Sequence, residues 1–178
     1  MSNQQADQSP VPAPPAGFTY EQIEALYFNA AREGQDDLLE QFLDAGADIE
    51  RTDGKGYRPL ILASYNGHLS ATALLLRRGA SPDARDAKGN TALCGVAFKG
   101  DIPLARLLIE AGGTVDAVNN VGRTPLMFAV MFGREAMAAY LVEQGADVDL
   151  VDGEGISARM LAERHGNHSL SQRMAERR

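Results

Sequence analysis

The segment GRTPLMFAVMFGREAMAAYLVEQGADVDLVDGE occupies residues 122–154. Thr124 stands before Pro125, a pair suited to a helix start. The threonine hydroxyl can accept from an amide of the first turn, and proline lacks an amide proton that the first turn leaves unpaired anyway. The apolar run that follows is short, because Gly133 ends it in the left-handed conformation that glycine tolerates. A second helix is predicted with Met137, Tyr140 and Leu141 on one face and Gly145 at its end. ADVDLVDGEG then turns back, with its Asp-Gly expected at a hairpin tip where φ is positive. Two short helices and a turn cannot bury their apolar faces alone, but they can when stacked on near-identical neighbours.

The neighbours are in the chain. Shifting the sequence by 33 residues aligns residues 56–88 and 89–121 with 122–154. A divergent copy covers 23–55, and a truncated one opens at Gly155. Thirteen of the 18 glycines fall in three columns. The first holds Gly56, Gly89, Gly122 and Gly155. The second holds Gly34, Gly67, Gly100, Gly133 and Gly166, and the third Gly46, Gly79, Gly112 and Gly145. Such a period is the signature of a solenoid built from supersecondary units. Upstream, Thr19 and Gln22 have the spacing of a capping box. Ile23, Leu26, Tyr27 and Ala30 follow at helical intervals.

GRTPLMFAVMFG, GYRPLILASYNGH, the pairs Leu74-Leu75 and Leu107-Leu108, and the turns GADVD and GADIE resemble the ankyrin-repeat family. The likeness spans about residues 19 to 170. It implies an all-α repeat solenoid, helix-turn-helix units joined by β-hairpin-like loops. The expected domain covers 19–178, with repeats 23–55, 56–88, 89–121 and 122–154 and a C-terminal cap over 155–178. There are departures. Ile61, Cys94 and Met127 stand where the family commonly has histidine, so apolar contact is expected to replace the hydrogen bonds of that residue. Arg58 takes the place of the capping threonine, which predicts a weaker helix start. Arg159 stands in the column of Leu60, Leu93 and Leu126, as suits a polar cap. His68 follows Gly67 where the family often has histidine, and is expected to be structural.

Composition narrows the function. The formal charge is −7, from 24 acidic and 17 basic residues, a poor start for nucleic-acid binding. Cys94 is the single cysteine, so no intrachain disulfide can form and a reducing compartment is expected. No basic-then-apolar leader and no membrane-length apolar run are visible, so the expected location is cytoplasmic, without membrane contact. Arginine outnumbers lysine, which with the alanine and glycine load suggests a GC-rich bacterial genome. Residues 1–18, rich in Gln, Ser, Pro and Ala, are expected to be a disordered tail: a solubilising leader, or an address for secretion or docking.

No catalytic motif anchors an enzyme reading: GxxxxGK[ST], GxSxG and HExxH are all missing. Cys94 aligns with Ile61 and Met127 and is expected to be a small buried residue. His165 and His168 straddle a turn with no cysteine nearby, a weak metal pair. DVDLVDGEG has a superficial likeness to a calcium loop, but its acidic spacing is out of register and the turn recurs as DIERTDGKG. No cofactor and no metal are expected.

Surface recognition remains. The resemblance implies a non-catalytic module, expected as a monomer, that binds a protein or peptide with its loop tips and the ends of its first helices, on a concave face. Those columns read Arg32, Tyr65, Phe98, Met131, Arg164; Glu33, Asn66, Lys99, Phe132, His165; and Tyr57, Asn90, Arg123, Ile156. The tips carry Lys55, Lys88, Val121 and Glu154. The expected partner site is Tyr57, Tyr65, Asn66, Asn90, Phe98, Lys99, Arg123, Met131 and Phe132, with Phe98, Met131 and Phe132 at its apolar centre. The alternative is that the large side chains of this face only seal the seams between repeats. A secreted effector using the same groove, and an accessory to an oxidative-stress enzyme, are the other roles the resemblance allows.

Overall fold

The computed structural model describes residues 17–175. Apart from Gly17 and Phe18, the expected tail lies outside the described residues, as do 176–178 of the expected cap. The described chain forms ten helices in five antiparallel pairs: α1 Tyr20–Glu33 with α2 Asp36–Asp44, α3 Pro59–Tyr65 with α4 Leu69–Arg77, α5 Ala92–Lys99 with α6 Ile102–Glu110, α7 Pro125–Met131 with α8 Glu135–Glu143, and α9 Ala158–Arg164 with α10 His168–Ala175. Pro59, Ala92, Pro125 and Ala158 open their helices 33 residues apart.

Thr124, Ser157 and Thr19 cap the helices that follow them, whereas Thr91 before α5 makes no such bond. Thr124 Oγ1 accepts from the Met127 amide at 3.2 Å and Ser157 Oγ from Met160 at 3.3 Å. At α1, Thr19 Oγ1 accepts from the Gln22 amide at 3.2 Å, while Gln22 Oε1 accepts from the Thr19 amide at 2.9 Å, which completes the capping box. Arg58 gives α3 no side-chain cap. Its guanidinium binds the Glu50 carbonyl and carboxylate and reaches the Arg85 carbonyl at 3.3 Å, tying together loops on either side.

Odd-numbered helices pack on odd and even on even, so the pairs stack in two layers. The odd layer is the more closely packed, because its facing positions are small: Ala30, Ala63, Val96, Ala129 and Ala162 are all buried. The odd helices form the inner layer and the even helices the outer layer, in the sense used below. The core runs the length of the stack, with Leu60, Leu93 and Leu126 from the inner helices and Leu75, Leu108 and Leu141 from the outer ones. Ile61, Cys94 and Met127 are buried, as expected of apolar replacements.

Three expectations need correction. Leu26, at a predicted apolar position of α1, is 40% exposed, because no helix pair precedes α1 among the described residues to cover that side. Of the pair at 107–108, Leu108 is fully buried and Leu107 only partly, since Leu104 and Leu108 form the inward face of α6. The loops are hairpin-like turns, each closed by one backbone bond such as that from the Asp152 amide to the Ile156 carbonyl at 3.0 Å; among the described residues there is one isolated bridge, Val151 with Ser157. The Asp-Gly pair is not where φ is positive. All thirteen column glycines have positive φ, whereas Gly54 and Gly153 do not. The aspartate itself shapes the turn: Asp152 Oδ1 accepts from the Glu154 and Ile156 amides at 2.9 and 3.0 Å. The left-handed residue then falls three positions on, at Gly155. Asp53, Asp86 and Asn119 repeat the arrangement.

Candidate partner-binding site

The inner helices end on one face, and three aromatic rings meet there. Tyr65 closes α3, Phe98 lies in the last turn of α5, and Phe132 caps α7. The Tyr65 and Phe98 rings are nearly parallel with centroids 6.1 Å apart, and Phe98 meets Phe132 edge to face at 4.4 Å. Lys99 Nζ lies 4.6 Å from the Tyr65 centroid, a cation–π contact. The row crosses three helix pairs, half-buried at Phe98 and open at its ends, where Tyr65 is 40% and Phe132 45% exposed. It runs through Phe132 rather than through Met131, which aligns with Tyr65 and Phe98 in sequence and is partly buried.

Beside the row lies an open cleft of about 450 Å³. Of the residues expected from sequence, Tyr57, Tyr65, Asn66, Asn90 and Phe98 line it. Lys99 adjoins it through Tyr65, and Phe132 through Phe98. Met131 and Arg123 are not among its walls. Arg123 is committed within the fold: its Nε donates to Asp152 Oδ2 at 3.2 Å. Asn90 and Asn66 also have internal partners. Asn90 Oδ1 accepts from Asn119 Nδ2 at 2.9 Å, and Asn66 Nδ2 donates to the Leu62 carbonyl at 2.8 Å.

The cleft adds residues that the sequence reading passed over. Phe128 forms its far wall and Gly95 part of its floor. Gly95 occupies the position that is Leu62 in α3, Phe128 in α7 and Leu161 in α9, and so leaves a gap between two large side chains. A Cβ on Gly95 would stand 3.1 Å from Tyr65 Cδ2. The signal in the sequence was this break in an otherwise bulky column. Arg32, Lys55 and Lys88 bring positive charge to the cleft, against the one carboxylate of Asp86. Asp86 Oδ1 already accepts from the Lys88 and Asn90 amides, both at 2.8 Å.

Other candidates have structural partners. His68 Nε2 lies 2.9 Å from the Arg32 carbonyl oxygen, joining α1 to the next pair. Arg134 Nε donates to the Phe98 carbonyl at 2.9 Å from the equivalent position. Cys94 is buried, its Sγ 3.6 Å from Thr91 Oγ1, and burial pushes the thiol pKa up, away from nucleophilic chemistry. Among the described residues, no group of three or more His, Cys, Asp and Glu side chains could hold a metal ion, and no helix is long and apolar enough to cross a membrane.

A family model for ankyrin repeats, in three copies, matches residues 27–117, 73–152 and 93–176. No curated protein matches the chain.

Proposed function

The chain belongs to the ankyrin-repeat family, whose repeats are generally protein–protein interaction modules, and from that premise we propose that its inner face captures a partner protein or peptide without catalysis. The observation that carries this reading is the row Tyr65–Phe98–Phe132 with Lys99 against it. A side chain that only sealed a seam would be covered on both sides. Phe98 meets that description, but Phe132 leaves 45% of its surface to water at the end of the row. Partly exposed aromatics next to a cation are the composition that interface centres favour. The proposed role is that of a cytoplasmic adaptor whose specificity lies in side chains of this face.

Capture of a partner from the source cells by the immobilised full chain is the test. Phe132→Ala and Lys99→Glu are expected to weaken capture, with truncation of the aromatic costing ~2 kcal/mol or more in affinity. The melting temperature of each variant should stay near that of the unaltered protein. Unfolding by Phe132→Ala with affinity per folded molecule intact would make the row a seam and nothing more.

A further inference from the structure

We propose that the cleft over Gly95 takes one aromatic side chain of an acidic peptide, and that Lys55 and Lys88 hold carboxylates on either side of that anchor. The inference rests on the reading of the inner face as a peptide-binding surface, and it names the chemistry of the peptide.

Three observations converge. First, the cleft has the size of a ligand pocket, about 450 Å³, and its walls are rings: Tyr57, Tyr65, Phe98 and Phe128. Rings gain most from an aromatic guest, which can stack or meet them edge on. Second, the floor is a glycine in mid-helix. Glycine there weakens α5 relative to alanine, and without a Cβ its backbone lines the cleft between Leu62 and Phe128, with the Tyr65 ring at its edge. Third, the charge of the mouth opposes that of the molecule. The chain carries −7 overall, yet two of its three lysines, Lys55 and Lys88, stand exposed on the cleft, and the third, Lys99, lies against Tyr65. Among the described residues Lys55 and Lys88 have no ion-pair partner, whereas Arg32 is bound to Asp53 at 3.5 Å. An acidic segment would find cations at the cleft and repulsion elsewhere, which favours its approach to this face.

A random peptide library panned against the immobilised full chain tests this directly. The expected result is enrichment of peptides with one aromatic residue flanked by Asp or Glu. Their affinity should fall as salt rises past the physiological range, where the screening length drops below ~8 Å. Gly95→Leu should weaken them by about tenfold or more. The Tyr65 ring, 3.1 Å from where a Cβ at 95 would stand, must shift to admit the leucine, so the melting temperature of Gly95→Leu is measured beside its affinity. Lys55→Glu with Lys88→Glu, two exposed changes that leave the floor intact, should weaken them similarly and in a salt-dependent way. Basic or non-aromatic consensus peptides, or no enrichment, would overturn the proposal. Proline-rich peptides like PVPAPP of residues 10–15 would overturn it in favour of the chain's own N-terminal segment. Peptides that lose affinity with Phe132→Ala but ignore Gly95→Leu would sink the cleft and leave the inner face standing. Peptides indifferent to all four substitutions would sink both.

Discussion

Single residues in this chain act mainly by tying one helix pair to the next. Asp152 is the clearest case. It is buried, and burial works against its charge. The Ile156 and Glu154 amides and the Arg123 guanidinium outweigh that penalty and hold the carboxyl below its usual value of 3.8. A depressed carboxyl stabilises the fold above its unfolded pKa and loses that contribution as pH falls through the folded one. Urea unfolding is therefore expected to show stability that declines below about pH 4, and Asp152→Asn, less stable at neutral pH, should show a shallower decline. Equal slopes in the two proteins would contradict the assignment. Asp116 slopes the other way. Burial is the largest influence and raises its pKa, with the charge of Asp147 adding to it and the Asp147 amide opposing it. Its contribution is fully present at low pH and declines as pH rises through the folded pKa. Neither behaviour is legible in sequence, since both aspartates stand in similar acidic turns. Arg123 illustrates the same limit. It reads as a free cation on the binding face, but its partner is 29 residues away.

At the scale of elements, the sequence was more informative, because helix ends are local. The Thr124-Pro125 and Thr19-Gln22 signals sit at the observed starts of α7 and α1, and the glycine columns coincide with the left-handed positions. What escaped were features decided by a neighbouring pair: exposure of Leu26, the burial order within Leu107-Leu108, and the gap at Gly95. The outer helices give a direct test of stacking. Leu108 is 0% exposed in α6, which packs on α4 and α8. Leu108→Ala should leave a cavity costing ~2–5 kcal/mol. Hydrogen exchange should accelerate in α3 and α4 and in α7 and α8 as well as in α5 and α6, because neighbours share the lost interface. Loss of protection confined to α5 and α6 would argue that the pairs are independently stable.

At the scale of the molecule, the repeat explains why a face exists at all. Each pair contributes a helix end and a loop tip at the same height, so a residue type recurring or changing at one position draws a row or a break across the surface. Tyr65, Phe98 and Phe132 form the row, and Gly95 is the break. The family likeness directed attention to this face, whereas the cleft could not be read from the sequence because its walls come from four helix pairs. The central claim is that this face is where a partner sits. Hydrogen exchange of the full chain, free and bound to its captured partner, measures that most directly. The account predicts slowed exchange in the ends of α3, α5 and α7 and in the loop tips at 53–57 and 86–90, with α4, α6 and α8 unchanged. Protection concentrated in α4, α6 and α8, with the inner helix ends unaffected, would contradict it.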